Sequence, residues 1–199
     1  GGIYTRYDLS FIYNNTIVGN SASRGGGIYV LNEGQYLPDV RNTIVYDNTA
    51  TNGPSVFLDN ANNSQIDLTW SDVEGGWEGT GNFDSIPNFA DTVWFRLSHP
   101  SRCIDAGTGS GTPDRDFEGD PRWDDPETPN RNTEYDVGWD EYVGTGIEEA
   151  PSAERRAPNS GATIVRGVLF LAETSSHKPQ AASWLLDISG RRVLDLHPG

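Results

Sequence analysis

A motif that returns after fewer than thirty residues constrains this chain more than any other feature. Asn14-Asn15-Thr16-Ile17-Val18-Gly19-Asn20-Ser21-Ala22, leading into Gly25-Gly26-Gly27-Ile28-Tyr29-Val30, comes back as Asn42-Thr43-Ile44-Val45-Tyr46-Asp47-Asn48-Thr49-Ala50, leading into Val56-Phe57-Leu58. The offset from Asn20 to Asn48 equals that from Ala22 to Ala50, and the offset from Asn15 to Asn42 is one position shorter. Gly1-Gly2-Ile3-Tyr4 recurs as Gly26-Gly27-Ile28-Tyr29 at a slightly smaller offset, and Ser71-Asp72-Val73 echoes Asn42-Thr43-Ile44 at a slightly larger one. Short β-prone runs at such a period, with no helical segment between them, predict a solenoid of stacked β-coils. No single coil can bury an apolar face alone, so its neighbours must supply the core. Ile17 and Ile44 are expected to stack in line inside, with Ala22 over Ala50. Asn20 and Asn48 sit at a turn, where an inward Asn bonds the backbone or the Asn of the next coil.

Composition agrees with an all-β chain full of turns: 23 Gly, 12 Pro, 6 Trp and 8 Tyr in 199 residues. No apolar run is long enough to span a bilayer as a helix. The chain lacks Met and a repeat is already under way at Gly1, so a piece of a longer protein is expected, with any secretion signal upstream. A net charge of −15 argues against nucleic acid or an anionic membrane as partner. The excess is concentrated in residues 102–149, which carry 14 acids and 4 bases. Cys103, the single cysteine, has no partner for a disulfide within the chain and is expected as a small buried residue.

The expected organisation has four parts. Residues 1–83 form β-helix coils, with a corner loop bulging over Asn32–Asp39. Residues 84–143 form an irregular cap, because an open solenoid end exposes strand edges and apolar core that need a cover. Phe83, Phe89, Trp94, Phe95 and Tyr142 are candidates for that cover, pinned by Arg122 with Asp136 or Glu141. Residues 144–161 read as a linker, and 162–199 as β-strands with a hairpin across Ser189-Gly190.

Three stretches carry resemblances. The NTIVGNSA…GGGIY pattern resembles the repeats of right-handed parallel β-helix proteins of the polymorphic outer-membrane-protein type. Leu97-Ser98-His99-Pro100-Ser101-Arg102-Cys103-Ile104-Asp105-Ala106-Gly107, Asp116-Phe117-Glu118-Gly119-Asp120-Pro121-Arg122 and Asp136-Val137-Gly138-Trp139-Asp140-Glu141 are similar to the choice-of-anchor Q region that closes many bacterial secreted β-helices. Residues 185–199, LLDISGRRVLDLHPG, resemble the start of the C-terminal β-sandwich sorting module associated with type IX secretion. These resemblances imply an all-β chain: the last coils of a right-handed parallel β-helix, a C-terminal cap and an incomplete β-sandwich module. They also imply a protein secreted to, or held at, the outer surface of a bacterium, with secretion machinery as a partner of its tail.

Candidate chemistry is sparse. Asp114, Asp116, Glu118 and Asp120 alternate around Gly119 like the start of a calcium loop, although Glu118 replaces the usual Asp or Asn and Asp125 the usual bidentate Glu. The competing reading is a solvated acidic turn whose Asp and Arg residues pair. Asp39, Asp47, Asp59 and Asp67 are the carboxylates of the coils, spread over different turns, and Arg24 and Arg41 are the basic candidates for one face. His99, His177 and His197 show no metal-ligand spacing. Trp70, Trp77, Trp94, Trp123 and Trp139 serve either to stack on sugars or to pack the solenoid. The expectation is a non-catalytic, adhesin-like scaffold contacting a glycan or cell-surface ligand, with no cofactor beyond a candidate Ca²⁺. The alternative is the remainder of a polysaccharide lyase or glycoside hydrolase whose site lies in upstream coils.

Overall fold

The computed structural model describes residues 1–144, apart from positions 8, 35, 60 and 62, together with three short strands in 170–196. The first coil holds β1 (Ile3–Arg6), β2 (Ser10–Tyr13), β3 (Thr16–Val18) and β4 (Ser21–Arg24). The second holds β5 (Ile28–Leu31), β6 (Asp39–Arg41), β7 (Ile44–Tyr46) and β8 (Thr49–Asn52). The third holds β9 (Val56–Leu58), β10 (Asp67–Thr69) and β11 (Asp72–Val73). Equivalent strands pair in parallel: β1–β5–β9, β2–β6–β10, β3–β7–β11 and β4–β8. The described residues are all-β, and their parallel stack in register is that of a β-helix.

The step between coils is constant over most of the stack and equals the separation of Asn20 from Asn48, as the pairs Phe11↔Asp39↔Asp67, Thr16↔Ile44↔Asp72 and Ser21↔Thr49 show. The step from Ile3 to Ile28 is shorter, and the loop at 32–38 supplies the difference that restores register at β6. Ala22 does pair with Ala50.

The expected stack of Ile17 on Ile44 is wrong by one residue. Ile17 pairs with Val45 and then Val73, all pointing inward, while Ile44 lies between Thr16 and Asp72 on the opposite face. Because side chains alternate along a strand, a slip of one moves a residue from inside to outside. The tandem Asn14-Asn15 is what made the slip easy. The structure sets Asn14 over Asn42 and Trp70, and all three adopt the left-handed backbone that turns the corner (φ 53°, 47° and 49°). The next inward residues each tie back two positions: Asn15 Nδ2 to the Tyr13 carbonyl, Thr43 Oγ1 to Arg41 and Ser71 Oγ to Thr69, at 2.8, 2.9 and 2.8 Å. The following corner works alike. Asn20 and Asn48 donate to the Val18 and Tyr46 carbonyls, and Asn48 Oδ1 accepts from both the backbone and side-chain nitrogens of Asn20.

The interior is Ile12, Ile17, Ile28, Val30, Val40, Val45, Val56, Leu68 and Val73, supplied by the β1–β5–β9, β2–β6–β10 and β3–β7–β11 sheets. The glycine run of the motif lets the coils approach. A Cβ on Gly27 would stand 2.5 Å from both the Ser55 carbonyl and Val45 Cγ1. Residues 74–83 pass across the third coil: Trp77 packs on the core, Asn82 Nδ2 donates to the Leu68 carbonyl, and Phe83 bridges Asp72 in parallel.

Residues from the 84–143 segment pack against the outer face of the β3–β7–β11 sheet. Ile44 forms a second core with Phe83, Leu97, Cys103, Ile104, Ala106 and Val137. Trp139 N donates to Thr16 Oγ1, and Cys103 Sγ lies 3.3 Å from Asp72 Oδ2. Gly138 (φ 118°) presses so close that a Cβ would meet Ile44 Cδ1 at 2.9 Å. Of the proposed aromatic cover, Phe83, Phe89 and Tyr142 join this second core, and Arg122 pairs with Glu141 at 2.6 Å, not with Asp136.

In the tail, β12 (Phe170–Leu171) pairs antiparallel with β2, and β13 (Ser183–Leu186) forms the expected hairpin with β14 (Arg192–Leu196). The expected linker beyond Gly144, and His177 and His197, lie outside the described residues.

Candidate functional site

A groove of about 740 Å³ lies where the β4–β8 sheet turns into the β1–β5–β9 sheet. Its floor is made by glycine. Gly25 takes φ 60°, and a Cβ there would stand 2.7 Å from the Ile28 carbonyl and from Tyr29 Cβ. A Cβ on Gly1 would meet the Gly25 carbonyl at 2.9 Å. With no side chains at this corner, the walls stand clear of the floor.

One wall is aromatic. Tyr4, Tyr29 and Phe57 occupy the same outward position on successive coils, with ring centroids 5.2 and 5.3 Å apart. Tyr29, between the other two rings, is half-buried, and Tyr4 is 58 % exposed. The Tyr29 hydroxyl donates to Asp59 Oδ2 at 2.8 Å, and that bond, followed by burial, raises the phenol above its ordinary range. The other wall is hydroxylic. Ser23 on β4 and Thr51 and Asn52 on β8 line it, all three exposed. Arg24 is the charged side chain of the lining, and its guanidinium lies 5.7 Å from the centre of the Phe57 ring.

The carboxylates of the coils distribute differently from one another. Asp39 and Asp67 are Cα partners on adjacent rungs of β6 and β10. Asp39 is occupied: Arg41 grips both of its oxygens at 2.8 and 2.6 Å, and the Tyr13 hydroxyl donates to it at 2.5 Å. Burial and that hydrogen bond push the Tyr13 phenol well above its usual range. Asp59 serves Tyr29, and Asp47 sits at a left-handed corner (φ 51°). Arg24 and Arg41 belong to different faces, one beside Phe57 and the other over Tyr13.

The four residues of the candidate calcium loop are not gathered around a common point. Asp116 Oδ1 accepts the Gly119 and Asp120 amides and Oδ2 the Glu141 amide. Glu118 turns away to Arg96 at 3.2 Å, and Asp114 is exposed. Arg115 donates to the Gly119 carbonyl, which closes the turn on itself. Among the described residues, no three His, Cys, Asp or Glu side chains converge as a cation would require.

Trp70, Trp77, Trp94, Trp123 and Trp139 are buried or half-buried, so the tryptophans of residues 1–144 pack the structure and present no open platform. The exposed ring beside a groove is Tyr4, which sequence reasoning missed. Its signal was present in the twice-occurring Gly-Gly-Ile-Tyr, whose tyrosine recurs at a position now seen to face outward. Cys103 is fully buried, and burial followed by the charge of Asp72 raises its thiol pKa.

Comparison with protein-family models, curated proteins and solved structures finds no match to this chain. The class defined by the coordinates themselves is an all-β chain of parallel stacked coils, with a concave aromatic and hydroxylic corner.

Proposed function

We propose that this chain belongs to a right-handed parallel β-helix secreted to, or held at, the outer surface of a bacterium, where it acts as a non-catalytic scaffold contacting glycans. The observation that carries this reading is the parallel stack of coils with the exposed hydroxyl and amide rank of Ser23, Thr51 and Asn52 along its glycine corner. A rank of hydroxyl and amide groups suits a sugar, whose hydroxyls both donate and accept hydrogen bonds. The resemblances of residues 84–143 to the choice-of-anchor Q region and of 185–199 to a sorting module support export. The test is retention by affinity electrophoresis in gels containing soluble polysaccharides. The native chain should be slowed by at least one of them and the double variant Thr51→Ala, Asn52→Ala should not, whereas equal mobility of the two in every gel would remove the reading.

A second reading, distinct from a catalytic site in upstream coils, is hydrolysis within these coils, and one observation favours it, the stacking of Asp39 on Asp67. Against it, an acid–base or nucleophilic carboxylate must be free to reach substrate, and Asp39 is held by Arg41 and Tyr13. Release of reducing ends from a polysaccharide, abolished by Asp67→Asn, would reverse the order of the two readings.

A further inference from the structure

Whatever the coils contact, we infer that two buried carboxyls, Asp72 on β11 and Asp105 in the segment 84–143, make that segment a proton-operated clasp on the side of the stack. It is closed while both are neutral and opens as both ionise. Asp105 shows the reason most plainly. It is fully buried and its oxygens are unequal: Oδ2 accepts the Asp125 amide at 3.2 Å, whereas Oδ1 has no hydrogen-bond partner among the described residues. A buried carboxylate oxygen with nothing donating to it is costly, and a proton on the carboxyl removes most of that cost. The charged groups facing it are acids, Asp124 and Asp125 from one turn and Asp136 and Glu141 from another stretch. Arg122 is committed to Glu141 at 2.6 Å.

Asp72 meets the same condition from the coil side. It is the Cα partner of Ile44, fully buried where the outer face of the sheet meets the second apolar core. Oδ1 accepts the Ser85 amide at 2.9 Å and Oδ2 lies 3.3 Å from Cys103 Sγ. Tyr46 faces it from β7, and Asp84 and Arg102 from the segment. Asp84 opposes its ionisation. Arg102 favours it, but that guanidinium lies over the Phe83 ring, 5.9 Å from its centre, and no salt bridge joins it to Asp72 among the described residues. Burial brings both carboxyls to about 7.

Both acids sit on the attachment itself. Asp72 takes the Ser85 amide at the start of the segment, the Asp105 amide bonds Asp136, Val137 N donates to the Cys103 carbonyl, and Gly138 N reaches the Asn42 carbonyl of the coils. Ionising the pair leaves two charges in an apolar seam without a counter-ion, and lifting the segment into water relieves both together. The coil interior is apolar and has no such group to titrate. Opening is therefore confined to the segment and uncovers Ile44 on the sheet face. The folded values lie above the ordinary carboxylate range, so the closing force is complete in acid and lost as pH rises through about 7.

Cys103, fully buried at this seam and the single cysteine of the chain, gives the readout. Its rate of reaction with dithiodipyridine in the folded chain, divided by that in the urea-unfolded chain at the same pH, cancels the titration of the thiol and measures the open fraction. That ratio should rise about tenfold or more from pH 5 to pH 8. In the double variant Asp72→Asn, Asp105→Asn it should change less than about threefold, since the amides imitate the neutral acids and Asn suits the left-handed backbone at 105 (φ 51°). An equal ratio at both pH values in the native chain, or the same rise in the double variant, would overturn the clasp. Hydrogen exchange of the native chain, corrected for the intrinsic rate at each pH, needs no variant. Loss of protection at pH 8 should fall within 84–143, and a loss spread evenly over β5 to β11 would overturn the clasp as well.

Discussion

The coils and the wrapping segment 84–143 solve the same problem by different means. Every buried backbone amide and carbonyl needs a partner. In the coils the partner is the next coil, and the side chains are left to fill an apolar interior. The described residues of the wrap have isolated bridges and turns in place of ladders, so side chains share the pairing with scattered backbone bonds. Asp136 accepts the Asp105 and Tyr142 amides, Glu141 the Trp123 amide, Asp140 the Leu97 amide and Asp72 the Ser85 amide. All four of these acids are nearly or completely buried. The acidic block of the sequence is therefore less a solvated face than the internal scaffold of a segment without regular strands. Such a scaffold is stiff only while each carboxylate keeps its amides, whereas a coil tolerates local loss because the ladder continues on either side.

The largest expected effect tests that contrast directly. Asp136→Ala leaves two buried amides unpaired, at about 1–3 kcal/mol each, and should lower stability by several kcal/mol. Urea unfolding should show it as an early transition of the wrap, preceding loss of the β-signal of the coils. A single unshifted transition would show that the two regions do not differ in this way.

Next come Val45→Ala and Ile44→Ala, adjacent residues on one strand, both fully buried. Each should cost about 2–4 kcal/mol by the usual cavity penalty. Limited proteolysis distinguishes them: Ile44→Ala should expose cleavage sites within 84–143 first, and Val45→Ala within the coils. The same fragments from both variants would contradict the observed register.

The two equivalent corners allow a smaller and sharper comparison. Asn42 exchanges two hydrogen bonds with the backbone of Thr108 and donates to Thr112 Oγ1, whereas the side-chain amide of Asn14, one rung away, is buried with no partner among the described residues. Glycine accepts the left-handed backbone at both positions. Asn42→Gly should cost about 2–3 kcal/mol, while Asn14→Gly should be near neutral or stabilising in thermal melts. Equal losses would mean that the corner backbone, and not the grip on the wrap, sets the cost.

The pH dependence follows from Asp72 and Asp105. Burial raises both carboxyls to about 7. Between the ordinary carboxylate range and that value the folded chain binds more protons than the unfolded one, so stability falls as pH rises through this window. The melting temperature should be several degrees higher at pH 5 than at pH 8, and Asp72→Asn should flatten part of that slope. A profile rising toward pH 8 would be inconsistent with these two groups. The smallest expected effect is that of calcium. With the oxygens of Asp116 on three amides and Glu118 on Arg96, millimolar Ca²⁺ or chelator should move the melting temperature by less than about one degree. A larger rise would restore Asp114, Asp116, Glu118 and Asp120 as a metal site.

Sequence reasoning reached the parallel stack, the Asn20–Asn48 ladder, the pairing of Ala22 with Ala50 and the corner loop after β5, because each shows itself locally as a repeat, a turn residue or an insertion. It misplaced Ile44 because Asn14 and Asn15 are the same residue type, and composition cannot say which of them turns the corner. It missed the aromatic column because Tyr4, Tyr29 and Phe57 lie far apart along the chain and become neighbours only when the coils are in register. It left Arg122 between two acids because both lie close by in sequence. The bond to Glu141 was chosen by the path of the loop.

The amino-acid pattern alone determined that this chain coils. Period, turn residues and apolar alternation are properties of nearby residues, and a coil of this length has one stable way to hide its apolar face: against a copy of itself. Only the tertiary structure decided that residues 84–143 clasp the side of the stack, and that the clasp is built from buried carboxylates. Those pairings join residues brought together by an irregular path, and no periodicity encodes such a path. The groove beside Tyr4 belongs to the same category, since its concavity comes from two sheets meeting at a glycine corner and neither sheet possesses it alone.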